Sequence, residues 1–126
     1  MPLLVLDERR SELVRTVCER IVPGSARVGA EVYIDALLAR MPDEARAGAL
    51  AAFDALEQPA ARGAEALGER SLTPEFQLVR ALACEAFYSD FVAPGAPGPG
   101  AWQEIDFKPP LAARLEKDWS YLGVTE

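Results

Sequence analysis

Apolar residues recur along this chain at helical spacing, and no stretch alternates long enough to propose a strand. Over residues 8–22, Leu13, Val14, Val17, Cys18 and Ile21 fall on one stripe, with Glu12, Arg15, Thr16 and Glu19 opposite. That pattern predicts a surface helix with one buried face, stopped by Pro23, Gly24 and Ser25. Residues 28–40 predict a second helix, with Tyr33, Ile34, Leu37, Leu38 and Met41 on one face and the smaller Val28, Val32, Ala36 and Ala39 over much of the other. A helix apolar on two faces must be covered on both, which makes this the expected central helix. Glu31 and Asp35 lie on its narrow acidic strip, read either as solvated or as a contact for a partner's Arg or Lys.

Met41, Pro42 and Asp43 restart the chain. Over 43–57 the stripe Ala45, Ala49, Ala52, Phe53 and Leu56 is expected to face inward, and its small residues favour close helix approach. Residues 58–71, with Pro59, Gly63 and Gly68, read as a loop holding a short helix. Thr73, Pro74 and Glu75 supply a hydroxyl cap, a first-turn proline and an acid at the positive end of the dipole, so a long helix begins there. Its expected core stripe is Phe76, Leu78, Val79, Leu82, Ala83, Ala86 and Phe87. Gln77, Cys84 and Tyr88 lie together on the more polar side, as boundary residues or as part of a contact surface with the loop that follows. After Pro110 a last helix is expected over 111–122, with Leu111, Leu115, Trp119 and Leu122 on one side and Gly123 as its stop. The fold class is therefore all-α: a small bundle of about five helices in one domain, residues 1–126, with a long Pro/Gly-rich loop near the C-terminus.

Composition narrows the chemistry. With 20 acidic against 13 basic residues the formal net charge is −7, which repels phosphate backbones and argues against nucleic-acid binding. The sequence has no histidine, so Ser-His and Cys-His nucleophile pairs, HExxH zinc sites and CxxCH haem attachment are excluded. Cys18 and Cys84 stand in no metal spacing; a disulfide and two reduced thiols both fit, free thiols being the default. No apolar run approaches the ~20 residues of a membrane span. Arg9 and Arg10 are followed by Glu12, Arg15, Glu19 and Arg20 where an export signal needs an uncharged segment. The chain as given is therefore expected to be cytoplasmic.

The most distinctive stretch is 86–110, AFYSDFVAPGAPGPGAWQEIDFKPP. Phe87, Tyr88 and Phe91 crowd the end of a predicted helix, Ser89 and Asp90 are placed to turn back onto nearby backbone groups, and Trp102 and Phe107 follow the loop. Aromatics on both sides of a Pro/Gly loop imply a pinned loop, folded over the protein's own core or docked on another protein. The run APGAPGPG carries no phosphate-binding pattern. Glu104, Asp106, Asp90 and Asp118 are the remaining candidate acids and bases, and no two of them share a fixed spacing on one element.

FYSD at 87–90, a Gly/Pro-rich spacer, GAW at 100–102 and then IDF with a proline resemble the C-terminal signature of the gluconate 2-dehydrogenase subunit 3 family, in which YYSD-like, GW-like and GFPG-like pieces occur in that order. Upstream, IVPGS and VGAEVYIDALLA resemble that family's IP turn and the YID-LL helix after it, so the likeness runs from about 13 to 110. It implies a small accessory subunit of a sugar or sugar-acid dehydrogenase. The FAD and the chemistry then belong to a large flavoprotein partner of the glucose-methanol-choline type. This chain itself holds no cofactor or metal and has no catalytic residue. On that resemblance Tyr88, Ser89, Asp90, Trp102 and Phe107 are candidates for structure or partner binding. Two pieces depart from the family pattern: its twin-arginine export signal is missing, and its GFPG-like turn reads DFKPP.

Three readings remain open at this stage. The first is the non-catalytic subunit that stabilises a flavin-dependent oxidoreductase, by aiding folding, flavin loading or assembly. A stand-alone small enzyme, such as a cyclase or isomerase, or a ligand-binding protein would instead need an apolar pocket lined by Tyr33, Tyr88, Trp102 and Phe107. Self-association alone is the third.

Overall fold

Two of the long helices, the first and the last of the bundle, begin at a side-chain cap that the sequence supplies. The computed structural model describes residues 3–107 and 122–123. Asp7 accepts the Arg10 N–H at 2.8 Å and starts α1 (Glu8–Ile21). The Glu19 carboxylate then takes the N–H groups of Gly24 and Ala26 at 3.0–3.1 Å, which turns the chain into the short α2 (Ser25–Val28). Gly29, at φ 78, separates α2 from α3 (Ala30–Arg40). After α4 (Asp43–Ala55) come the short α5 (Glu57–Arg62) and α6 (Ala64–Gly68). Thr73 accepts the Phe76 N–H at 3.2 Å and caps α7 (Pro74–Tyr88), and beyond the Pro/Gly loop lies α8 (Ala101–Glu104).

The fold is all-α, with no strand among the described residues. Four helices, α1, α3, α4 and α7, enclose one hydrophobic cluster that also takes in Leu6, Phe91, Ala101 and Leu122. The helix expected over 111–122 lies outside the described residues except for Leu122, which is buried, and Gly123 follows at φ 76. The single helix expected over 28–40 is broken at Gly29 because the returning loop presses on it. Ala93 donates its N–H to the Val28 carbonyl at 2.8 Å, and a Cβ on Gly29 would collide with that of Ala93.

Helix α3 shares the centre of the bundle with α7, which packs against α1, α2, α3, α4 and α8. Its acidic strip is not a solvated one. Asp35 is 3% exposed, and its carboxylate accepts the N–H groups of Leu4, Val5 and Leu6 at 2.7, 2.8 and 2.9 Å. The N-terminal strand of chain is thereby strapped onto α3, and Leu6 is delivered to the core. Glu31 is largely covered too, paired with Arg15 at 3.3 Å. The C-terminal end of α3 is closed by Arg46, which donates to the carbonyls of Leu38, Ala39 and Met41 at 2.8–3.3 Å.

Two expected core positions fall outside the core. Ala45, in the first turn of α4, is exposed; full burial along that helix begins only at Ala49. Leu78 is 40% exposed, one residue and 100° round the helix from the fully buried Val79. Both thiols are free, Cys18 in the core and Cys84 half-buried.

Replacing Asp35 by Ala is expected to cost about 2–3 kcal/mol, since three charge-assisted hydrogen bonds are lost together. Urea unfolding checks the magnitude, and faster hydrogen exchange at Leu4, Val5 and Leu6 locates the release. Burial, with the Glu31 charge and Cys84 adding to it, pushes the Cys18 thiol far above its ordinary value of 9.0. A proton held more tightly in the folded chain gives stability that is complete below the ordinary thiol value and is lost as pH rises above it. Urea midpoints should therefore fall from about pH 8 to about pH 10, and fall less steeply in Cys18→Ala.

Candidate functional site

The sequence of α7 ends in a fork: Phe87 goes into the core at 2% exposure, while the neighbouring Tyr88 stands 46% exposed. Their rings meet edge to face, with centroids 5.1 Å apart, so the buried ring supports the exposed one. Ser89 turns its hydroxyl back onto the Ala86 carbonyl at 3.3 Å. Asp90 then takes the left-handed conformation at φ 68, a geometry in which Asp is tolerated better than most side chains, and Phe91 re-enters the core beside Tyr33.

From Phe91 the Pro/Gly loop leaves and comes back to where it started. The buried Asp90 carboxylate accepts the Trp102 N–H at 3.0 Å, capping α8 from a part of the chain 12 residues away. The Trp102 indole N–H donates to the Tyr88 carbonyl at 2.7 Å. Gly100 is required at this closure, since a Cβ there would overlap the Asp90 carboxylate. On the far side Arg27 donates to the carbonyls of Pro97 and Pro99 and pairs with Glu104 at 2.9 Å. The loop is therefore pinned over the protein's own backbone at both ends.

Beyond α8 the chain tightens once more. Ile105 and Asp106 donate to the carbonyls of Ala101 and Gln103, Asp106 takes a φ of 55, and the Phe107 N–H reaches the Trp102 carbonyl at 2.7 Å. That turn sets the Phe107 ring edge-on to Trp102 at 5.3 Å. The result is a shelf: the Trp102 and Phe107 rings edge to face, anchored on the Tyr88 carbonyl, with Tyr88 and Phe107 each 46% exposed and Ile105 51% exposed.

All five candidates from the sequence thus come together, in two roles. Ser89 and Asp90 hold backbone, and Tyr88, Trp102 and Phe107 present surface. Arg27, Gly100, Glu104 and Ile105 belong to the same construction and were not singled out by the sequence as its parts. Arg27 reaches the loop from 70 residues away, and no local pattern marks it. Gly100 stood in the GAW piece, but nothing local says that the position must lack a Cβ.

Of the candidate acids and bases, Glu104 is neutralised by Arg27 and Asp106 is exposed, while Asp118 lies outside the described residues. Among the described residues no group of three or more His, Cys, Asp or Glu side chains is arranged to hold a metal. Tyr33 does not join the shelf. It is 2% exposed, its hydroxyl donates to Glu85 at 2.9 Å, and its ring packs on Phe91. An open groove of about 600 Å³ runs elsewhere, between α1 and α5, past Glu12, Leu13, Thr16, Glu57 and Ala60. It shares no residue with the shelf. No helix among the described residues is long and apolar enough to cross a membrane.

Comparison with known protein families, curated proteins and solved structures finds no match to this chain. The chemistry of its own surface is what bears on function.

Gly100→Ala is expected to cost about 1–3 kcal/mol through overlap with the Asp90 carboxylate, although its φ of −78 is open to alanine. Trp102→Phe, which loses the indole donor to Tyr88 but keeps an aromatic ring, should cost about 1 kcal/mol. Thermal or urea unfolding of the two variants checks the order, Gly100→Ala being the less stable.

Proposed function

We propose that this chain is a small non-catalytic subunit that binds and stabilises a large flavin-dependent oxidoreductase acting on a sugar or another alcohol. The observation that carries the reading is the aromatic shelf: Tyr88, Trp102 and Phe107 held in place by backbone hydrogen bonds, with two of the three rings left nearly half exposed. Aromatic rings with few rotors, presented on a fixed backbone, are the side chains that dominate protein–protein interfaces. Among the described residues their setting holds no metal group, and Glu104 is paired with Arg27, which leaves contact surface as its main feature. The kind of partner comes from the resemblance of the FYSD, GAW and IDF pieces to the gluconate 2-dehydrogenase subunit 3 family. On that reading FAD and turnover reside in the partner.

Co-expression of the tagged chain with the flavoprotein-like oxidoreductase encoded nearest to it, followed by pull-down and a visible spectrum, tests this directly. A yellow complex of fixed stoichiometry is expected, weakened at least tenfold, about 1.4 kcal/mol, by the double change Tyr88→Ala and Phe107→Ala. A colourless chain recovered alone would overturn the reading.

A further inference from the structure

The shelf does not end at Tyr88. Helix α7 buries Phe76, Val79, Leu82, Ala83, Ala86 and Phe87, yet its opposite face is also poor in charge. Leu78 is 40% exposed, Ala81 is exposed, Cys84 is half-buried and Tyr88 is 46% exposed. At 100° per residue these four lie on one side of the helix, and from Leu78 to Tyr88 they extend about 15 Å. The Tyr88 backbone carbonyl accepts the Trp102 indole N–H, so the stripe runs out at the Trp102–Phe107 ring pair. Gln77 and Glu85 interrupt this face, and an apolar row with polar residues set in it, leading from helix to shelf, suits an amphipathic helix.

The charges beside the strip decide what kind of helix. Glu85 lies within it, Glu75 flanks its start and Asp106 stands exposed at the shelf, against Arg80 alone on the other flank; Glu104 is already matched by Arg27. A second copy of this chain would bring acid against acid, with a net charge of −7 on each molecule. A segment with an apolar stripe and Lys or Arg at its margins meets both features.

We propose that the outer face of α7, from Leu78 to Tyr88, and the Trp102–Phe107 shelf form one docking surface for a basic amphipathic helix of a protein partner. The proposal rests on the subunit reading for the partner's identity and on this surface for its chemistry. Arginine or lysine at the margin of that helix lies against Glu85 and Asp106 and within reach of the ring faces, while its apolar stripe covers Leu78 and Ala81.

The probe is a labelled synthetic peptide of Leu and Lys at amphipathic helical spacing, titrated with the full chain by fluorescence anisotropy, beside a Leu/Glu peptide of the same pattern. The Leu/Lys peptide is expected to bind, more weakly at high salt, and the Leu/Glu peptide at least tenfold less tightly. Ala81→Glu separates docking from mere attraction of a basic peptide to an acidic protein. Glutamate is a good helix former at an exposed site, so the variant folds. It adds negative charge but blocks the strip, and binding should weaken about tenfold. Tighter or unchanged binding of the Leu/Lys peptide to Ala81→Glu, equal binding of both peptides, or a chain dimer abolished by Ala81→Glu would each overturn the proposal. The flavoprotein pull-down keeps the two ideas apart. A yellow complex that Ala81→Glu leaves intact sinks this surface and spares the subunit reading. No complex at all sinks the subunit reading, and the peptide titration still judges the surface.

Discussion

The shelf depends on one buried carboxylate, Asp90, at which the Pro/Gly loop closes on itself while Arg27 grips its far side. Residues 91–100 contain three prolines and three glycines, and such a run has no regular hydrogen bonding of its own. Its return is fixed where Asp90, already turned into the left-handed region, meets the Trp102 N–H. Closing a loop of this length costs only a modest entropy, which one charge-assisted hydrogen bond and the indole bond to Tyr88 can offset. Ile105 and Phe107 take their positions from that closure, beside Tyr88 at the end of α7.

The same device recurs through the molecule. Asp35 gathers three N–H groups of the N-terminal segment, Glu19 gathers those that turn α1 into α2, and Asp90 gathers α8. In each case a carboxylate from a helix or its end satisfies backbone donors that no regular element serves. Part of the acidic excess of this chain is therefore structural. Arginines play the mirror role toward carbonyls: Arg46 at the end of α3, Arg27 on the loop.

Much of the helix plan was legible because its signals are local. Asp7 and Thr73 cap where they stand, Pro74 opens α7, and the stripe of α1 is buried as its period requires. What was not legible depended on long-range contacts. Asp35 reads as a solvated acid from its neighbours in sequence, and only the return of residues 4–6 some 30 positions away makes it a buried anchor. Gly29 reads as part of a helix until Ala93 is packed against it. At the site, the aromatic residues announced themselves by type and clustering, whereas Arg27, which holds the loop from the other side of the molecule, carried no mark.

Leu78 shows how a misplaced core residue becomes a functional observation. The sequence assigns it to the buried stripe by hydrophobicity alone, while its phase on α7 sets it at the edge, nearer to Ala81 than to the centre of the buried stripe. A lone exposed leucine needs no explanation on a protein surface. Here it heads a row that continues through Ala81 and Cys84 to Tyr88 and on to two more aromatic rings. Together these residues give α7 a second, weakly apolar face, on which the proposed contact rests. In that proposed contact the acids beside it, Glu85 and Asp106, would repel another acidic surface and favour a basic one.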